Sequence, residues 1–561
     1  MNIMKKPIKE IALSLTFGML LFPVSLSAEN LTPQQQQSLR TPDYNPGSLL
    51  MQRMKELQRY NTDNEAYKLK ENAERQEEEP QTVEGRPEAP AVTLTLDHLE
   101  IPDSEVLSRE ELDAISSKYS GKTVAISDLY DAIDEINNLY AKKGYLTTRA
   151  ILPPQKIENN TVKIMLIEGK VGQVIIDNNR YTKSAYIKRC IKVPEGVVPN
   201  INKIRRSIQR FNTTNKTILQ IKMVAGEKPL TTDFYIVAVE PSNKRSVTTF
   251  ADNSGSKNSG KYRYGLSYSD INLSGRCDIF NLTALTSKNS QTGMVSYSTP
   301  IGYNGNRISI SHNTNHMRVS EGYMKDLDVR GKSNSDTLTF IKPTKATFNK
   351  RNEVTLEVQK QKSNTKILGN DFVRDRENRF TIGYSSMVVK RNQIIYFKPA
   401  YTYNKHKNID GESFSGKRIN IDSMWQKFQK KGDIMSLRVS AQKDLDEYIP
   451  SADQYYLGGQ YSVRGYNENV VGGDAGVNVK FDYSFHTKTK GLNFVTFFDW
   501  GRLSGDTLLT TKEIYSAGYG LEYSRNGLSF IIFTGYPLKR DIGDTRADKS
   551  ITNFSLSYTF D

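Results

Sequence analysis

Two charged residues, Arg464 and Asp499, lie in segments whose other residues carry no charge. Arg464 belongs to the glycine-rich stretch 457–466, LGGQYSVRGY, and Asp499 belongs to the aromatic stretch 494–501, FVTFFDWG. A lone carboxylate in an apolar strand is costly unless it faces water or a partner, and the planar guanidinium of arginine offers two donors that one carboxylate can accept. These residue types predict an Arg464–Asp499 ion pair. The pair would contribute about 1 kcal/mol where water reaches it, and more if it is partly dried.

Residues 243–561 must position this pair, and their pattern is that of a membrane barrel. Short runs alternate between apolar and polar residues, as at Val477, Val479, Phe481, Tyr483 and Phe485, and Gly, Asn, Ser and Asp separate them. Beyond residue 28 no apolar run approaches the roughly 20 residues of a spanning helix, so a spanning structure must be a closed barrel. The length suits about 16 antiparallel strands. A soluble array of β-sandwiches is the alternative, and the closing alternation that ends at Phe560 disfavours it.

The N-terminal segments predict export and a tether. Residues 1–28 combine Lys5, Lys6 and Lys9 with an apolar run at 11–24 and small residues before Ala28, which is typical of a signal peptide. Residues 29–90 are polar and rich in Gln, Glu and Pro. Within them an apolar stripe indicates one short helix on a flexible linker, with plain disorder as the alternative. The stripe consists of Leu49, Leu50, Met54 and Leu57.

Residues 91–242 predict two tandem copies of one small α+β domain, at 91–168 and 169–242. Each copy follows the order β-α-α-β-β, and the repeat depends on element order because sequence identity between the copies is slight. In the first copy, Ser108 with Glu111 predicts a capping box, Ser127 a second N-cap, and Gly144 a helix end.

Composition and motifs disfavour several other classes of function. The net charge of +15 could suggest nucleic acid, but an exported chain meets little of it, and basic rims could instead face anionic lipid headgroups. The five His residues are scattered, and no serine-hydrolase elbow, zinc-protease motif or phosphate-binding loop is present. Cys190 and Cys277 fall in different predicted domains, so no disulfide is expected. We therefore expect no enzymatic activity, no metal and no cofactor.

The mature chain resembles the outer-membrane transporters of two-partner secretion, the haemolysin-activator (ShlB/FhaC/HecB, or TpsB) family related to BamA. The resemblance is carried by stretches 457–466 and 494–501 and by KGYLTTRAILPPQ at 143–155. It implies a plug helix and linker, two periplasmic POTRA domains and a sixteen-stranded barrel in the outer membrane. Asp561 after the terminal aromatic Phe560 departs from the family pattern and is expected to weaken recognition by the barrel-assembly machinery without preventing assembly.

The resemblance also implies roles for particular residues. The infolded loop motif in the lumen comprises Val463, Arg464, Gly465 and Tyr466. The barrel-wall motif comprises Phe494, Phe498, Asp499 and Gly501. The POTRA motif comprises Gly144, Tyr145, Pro153, Pro154 and Gln155.

The implied function is secretion of one large exoprotein, recognised through the POTRA domains and moved without nucleotide hydrolysis. The exoprotein would be a haemolysin, an adhesin or a contact-dependent toxin. Lipid, lipopolysaccharide and the assembly machinery are the other expected partners. The main alternative is a BamA-like assembly factor, which usually carries more POTRA copies. A passive porin would need neither the POTRA domains nor the loop motif.

Overall fold

A computed structural model describes residues 44–74, 92–322, 324–446, 450–507, 511–543 and 545–560. The predicted signal peptide, much of the predicted linker, and Asp561 lie outside these residues.

The first helix, α1, is longer than the short helix predicted from the apolar stripe. It runs over Pro46–Glu74, 29 residues. The Asn45 side chain accepts hydrogen bonds from the backbone amides of Gly47 and Ser48, which caps the N-terminus, and Pro46 suits the first helical position. The later turns bury Ala66 and Leu69 against the wall and make ion pairs through Asp63 and Glu65, a spacing too sparse to appear as an apolar stripe in the sequence.

The first α+β unit is built around one apolar core. The helices pack on short strand pairs, with Leu96, Leu112 and Ile136 fully buried. Its elements are β1 Thr93–Leu96, β2 His98–Glu100, α2 Arg109–Tyr119, β3 Lys122–Ala125, α3 Ile126–Lys143, β4 Thr148–Ile151, β5 Thr161–Lys163 and β6 Met165–Glu168.

Two of the three helix ends predicted for this unit are confirmed, and the third is wrong. Ser108 and Glu111 form the capping box at α2, and Gly144 ends α3 with a left-handed φ of 87°. The prediction that Ser127 caps α3 is wrong, because the helix begins at Ile126 and the Asp128 carboxylate accepts from the Ala125 amide. The order β-α-α-β-β also omitted β2 and β3, which have three and four residues and lack the alternation that Leu94 and Leu96 give β1.

The second α+β unit has the order β-α-α-β-β. Its elements are β7 Lys170–Asp177, α4 Ser184–Ile191, α5 Ile201–Thr214, β8 Ile218–Ala225 and β9 Thr231–Val239. The sheet order is β7-β9-β8, with β7 parallel to β9 and β8 antiparallel to it. Cys190 lies in the core as a free thiol, where burial raises its pKa to about 11.

The rest of the described chain is a closed antiparallel barrel. Sixteen strands form the wall, and pairing of the first with the last closes it. They are β10 Arg245–Asp252, β11 Arg263–Asp270, β12 Ile279–Ser287, β13 Ser290–Ile301, β14 Asn306–Arg318, β15 Arg330–Thr347, β16 Lys350–Ile367, β17 Asn370–Lys390, β18 Gln393–Lys407, β19 Ser413–Phe428, β20 Ile434–Asp444, β22 Val471–His486, β23 Leu492–Thr507, β24 Glu513–Arg525, β25 Leu528–Pro537 and β28 Ile551–Phe560. Three short strands lie beside them, β21 Tyr455–Leu457, β26 Asp541–Ile542 and β27 Thr545–Arg546. The predicted fold class is therefore confirmed.

Alternation along the strands separates an apolar outer face from a polar interior. On β17, Phe380 and Ile382 are exposed outside the wall, whereas Glu377 and Arg379 are buried inside it. This is the pattern of a barrel that meets lipid outside. Among the described helices, none is both long and apolar enough to cross a membrane.

Candidate functional site

The segment between β20 and β22 folds into the barrel instead of extending away from it. Leu457, Val463 and Tyr466 are at most 1% exposed and pack against Leu503 of β23 and Ile514 of β24. Gly458, Gly459 and Gly465 have positive φ angles, which let the chain turn tightly beside the wall. We call residues 450–470 the infolded loop.

Arg464, near the tip of the infolded loop, contacts Asp499 of β23. Its Nε and Nη2 atoms donate to the two Asp499 carboxylate oxygens, each at 2.7 Å, and its backbone amide donates to Oδ2 at 3.0 Å. The same guanidinium reaches Asp482 of β22 at 2.6 Å. Asp499 is 0% exposed and Arg464 is 7% exposed, so this pair is dry. Removing one partner of such a pair costs about 3–5 kcal/mol, more than expected for a wet pore.

Two aromatic rings, those of Phe497 and Phe533, contact the Arg464 guanidinium. The barrel-wall motif taken from the sequence contained Phe494 and Phe498 instead. The Arg464 guanidinium lies 3.7 Å from the Phe497 ring centroid and 5.5 Å from that of Phe533. Phe494 and Phe498 are 38% and 45% exposed and lie on the outer face. The reason is the two-residue period of a strand, which puts residues 497, 499 and 501 on the inner face together.

Two pairs of close contacts fix the loop tip against the wall. A Cβ atom at Gly465 would lie 2.8 Å from the Gly535 carbonyl carbon, so the two backbones pack directly. A Cβ at Gly501 would lie 2.8 Å from a Leu457 methyl group. The Tyr466 hydroxyl donates toward the Tyr515 and Lys539 carbonyl oxygens, at 2.9 and 2.7 Å.

The start of the infolded loop has a second buried anchor, which sequence reasoning missed. Asp453 is 3% exposed, and its carboxylate accepts from Arg379 of β17 and Asn404 of β18, each at 2.5 Å. Arg418 of β19 forms a further ion pair with it. The sequence signal for this anchor is a polar or charged residue at an inward position on each of three strands, and only the register shows which of these residues meet.

Helix α1 occupies the lumen and is bound to the wall by ion pairs and by two small apolar patches, one at Leu49 and one at Ala66 and Leu69. Glu56 accepts from Arg263 of β11 at 3.2 Å, Asp63 pairs with Arg438 of β20, and Glu65 pairs with Arg351 of β16. The helix also contacts the infolded loop, because Arg59 donates to the Tyr461 carbonyl oxygen.

The residues of the predicted POTRA motif lie at the junction of the two α+β units and in a neighbouring loop. The Gly144 carbonyl oxygen accepts from the Ile201 amide at 2.8 Å, which joins the end of α3 to the start of α5. Tyr145 packs against the first core. Pro153 and Pro154 begin the loop after β4, and the Gln155 side chain pairs with the backbone of Lys163 through two 2.8 Å hydrogen bonds.

The second α+β unit docks on one rim of the barrel. Thr182 accepts from Asn272 in the β11–β12 turn at 2.8 Å, and Arg189 donates to the Tyr303 hydroxyl in the β13–β14 turn at 2.7 Å. Arg307 of β14 lies 3.5 Å from the Asn215 side chain of the second unit. It also donates at 3.1 Å to the carbonyl oxygen of Cys277, which lies in the β11–β12 turn and packs into the core of the second unit. We call these contacts the docking seam.

Within the part of the chain that the structure describes, no three His, Cys, Asp or Glu groups converge as metal ligands. His312 and His316 both lie on β14, where an i, i+4 spacing does not bring the rings together as it would on a helix.

Comparison with known proteins connects this architecture to a family. The model for haemolysin secretion/activation protein ShlB/FhaC/HecB matches residues 232–523, just over half of the chain. The model for the ShlB-type POTRA domain matches residues 94–169.

Individual relatives agree with the family matches. The heme/hemopexin transporter protein HuxB of Haemophilus influenzae is 24% identical over 523 residues, covering 86% of this chain and 89% of the relative. The outer membrane transporter CdiB of Dickeya dadantii is 21% identical, covering 79% and 83%. The solved structure of CdiB from Escherichia coli superposes with a TM-score of 0.68 at 18% identity, covering 94% and 99%. The chain thus belongs to the haemolysin secretion/activation family ShlB/FhaC/HecB, the two-partner-secretion transporters whose barrel lies in the outer membrane and whose POTRA domains lie in the periplasm.

Proposed function

We propose that the chain exports one large exoprotein through its barrel, recognises it through the units at 91–168 and 169–242, and uses no nucleotide. The observation that carries this proposal is the content of the lumen. A closed wall encloses a helix and a loop that are held mainly by side-chain contacts, so the path can open without breaking the wall.

In this proposal α1 is a reversible plug. Its ion pairs with Arg263, Arg351 and Arg438 are individually replaceable by water once the lumen hydrates. A helix bound by a broad apolar face would have a larger barrier to leaving, because its release would expose that face to water.

The periplasmic units would receive the exoprotein as an added strand. The sheet order β7-β9-β8 leaves β7 and β8 at its two edges, and an edge offers unpaired backbone groups to an extended peptide. Folding of the exported chain at the cell surface would supply the drive. An exoprotein that cannot fold outside the cell, yet leaves at the full rate, would contradict this point.

The infolded loop with Arg464 and Asp499 would act as a structural latch of the conducting path. Outer-membrane lipid and lipopolysaccharide would surround the barrel, and the barrel-assembly machinery would insert it. The partner class is a haemolysin, an adhesin or a contact-dependent toxin.

The deciding experiment is co-expression with candidate large secreted proteins encoded by neighbouring genes, scoring each candidate in the medium. Export with the wild-type chain and retention with an empty vector are expected. A BamA-like assembly factor is the second candidate. It predicts no exported protein and a loss of other outer-membrane barrels when the chain is depleted, so the same strains distinguish the two functions.

A further inference from the structure

Basic side chains gather on the outer face of β15–β18, near the rim opposite the docking seam. The second α+β unit contacts the turns β11–β12 and β13–β14. The hairpins β14–β15, β16–β17 and β18–β19 therefore lie at the other end of the wall, which is the cell-surface end of a transporter with periplasmic POTRA domains.

Strand register aligns three of these cations side by side. Lys362 of β16 is directly opposite Arg376 of β17, and Arg376 is directly opposite Lys407 of β18. All three are exposed. We call Lys362, Arg376 and Lys407 the cationic row. Neighbouring strands are about 4.8 Å apart, so these three charges repel one another in the isolated protein.

Nearby acids do not neutralise the cationic row. Asp371 pairs with Arg374, and Asp336 pairs with His312. None of the three cations forms an ion pair within the described ranges of the chain. The next position along each strand on the same face adds Lys360 and Lys405, which are both exposed.

An apolar band begins immediately below the cations. Leu338, Val358 and Phe380 are directly opposite one another in register and are 43–53% exposed. Val358 is four residues from Lys362, about 14 Å along the strand, and two residues from Lys360, about 7 Å. The cations therefore lie at the depth where a lipid headgroup meets its acyl chains.

We propose that the cationic row binds the phosphate groups of lipopolysaccharide in the outer leaflet, which rests on the outer-membrane function proposed above. The charges face outward beside the lipid-facing band and not into the lumen, which favours a lipid over a segment of the exported protein. Anionic phosphates between the opposed cations would replace repulsion with charge-assisted hydrogen bonds.

The test uses the purified full chain in detergent with EDTA and fluorescent lipopolysaccharide as the probe. K362Q/R376Q/K407Q is compared with K430Q/K431Q/K488Q, which removes the same charge from exposed turns at the periplasmic rim. We expect the first variant to bind at least tenfold more weakly than wild type and the second to bind like wild type. The charge-retaining variant K362R/R376K/K407R is expected to bind normally.

Further outcomes separate the possible ligands. Dephosphorylated lipopolysaccharide is expected to compete at least tenfold less well than the intact molecule. Equal binding by both Gln variants would overturn the proposal, and so would equal competition by the dephosphorylated form. If the first Gln variant binds lipopolysaccharide normally but exports slowly, the row serves the exported protein and the proposal is wrong. Binding is measured without any exoprotein, so its failure leaves the export function standing.

Discussion

At position 464 one guanidinium meets two carboxylates and two aromatic rings. Asp499 accepts hydrogen bonds from the Nε and Nη2 atoms of Arg464. Asp482, which is partly exposed, forms a further ion pair with the same guanidinium. Because Asp499 is wholly buried, the loss of its partner leaves an uncompensated charge away from water. The loss of Asp499 leaves Arg464 with Asp482.

This asymmetry predicts that Arg464→Ala is more damaging than Asp499→Asn. We expect at least a tenfold fall in exported partner for Arg464→Ala, a smaller fall for Asp499→Asn, and an intermediate effect for Arg464→Lys, which lacks the fork. Exported protein in the medium is the measurement, and heat-modifiable gel mobility checks that the barrel assembles. Unchanged export by Arg464→Ala and Asp499→Asn would refute the latch.

Gly465 allows a second residue-scale prediction with a matched control. Gly465 and Gly369 share a φ near 85°, but a Cβ at Gly369 meets nothing within 4 Å, whereas at Gly465 it meets the Gly535 backbone. Both Gly→Ala changes carry the same conformational strain of about 1 kcal/mol. We therefore expect Gly465→Ala to impair export and Gly369→Ala to leave it near wild type. Equal export by the two variants would show that the backbone contact is dispensable.

At the scale of elements, α1 fills the lumen through ion pairs on several sides. Asp63 and Glu65 point at different strands, so the helix is centred by opposing contacts. Each such pair is worth about 1 kcal/mol or less where water reaches it.

Weakening these pairs should shift α1 toward release. We expect Asp63→Asn with Glu65→Gln to raise the sensitivity of cells to a bulky antibiotic severalfold, because the lumen is open for more of the time. The control is Glu74→Gln, which removes a carboxylate whose ion-pair partner among the described residues is Lys70 of the same helix. If the control sensitises cells equally, helix stability and not anchoring to the wall is the cause.

At the scale of the whole molecule, the docking seam joins the periplasmic part to the barrel. Arg307 is nearly buried and lies 3.5 Å from the Asn215 side chain of the second α+β unit. It also donates to the Cys277 and Ser298 carbonyl oxygens of the barrel, and Cys277 packs into the core of the second unit. Hydrogen bonds from a charged donor contribute about 1.5–3 kcal/mol each.

Arg307→Ala should loosen the second α+β unit while the barrel stays closed. We expect faster proteolysis between β9 and β10 in the folded protein and a reduced export rate. Arg318→Ala is the control and should change neither, because Arg318 is exposed, lies at the other end of the same strand and pairs with half-buried Asp328. Identical proteolysis of the two variants would show that Arg307 does not hold the seam.

The sequence by itself determined that residues 243–561 form the strands of a membrane barrel and that two α+β units precede them. It also determined that Arg464 and Asp499 form an ion pair. These follow from local rules, since alternation, capping and the cost of a lone buried charge are all legible along the chain. The same alternation predicts that Phe497 shares the inner face of β23 with Asp499, whereas Phe494 and Phe498 lie on the outer face.

Only the tertiary structure decided which other groups share the site. Phe533, Gly535 and the Asp453 anchor come from separate strands, and closure of the barrel and its register bring them together. It also decided that the pair is dry and that α1 extends to Glu74 within the lumen. Burial and long-range pairing depend on how sixteen strands close around their contents, and no local pattern encodes that geometry.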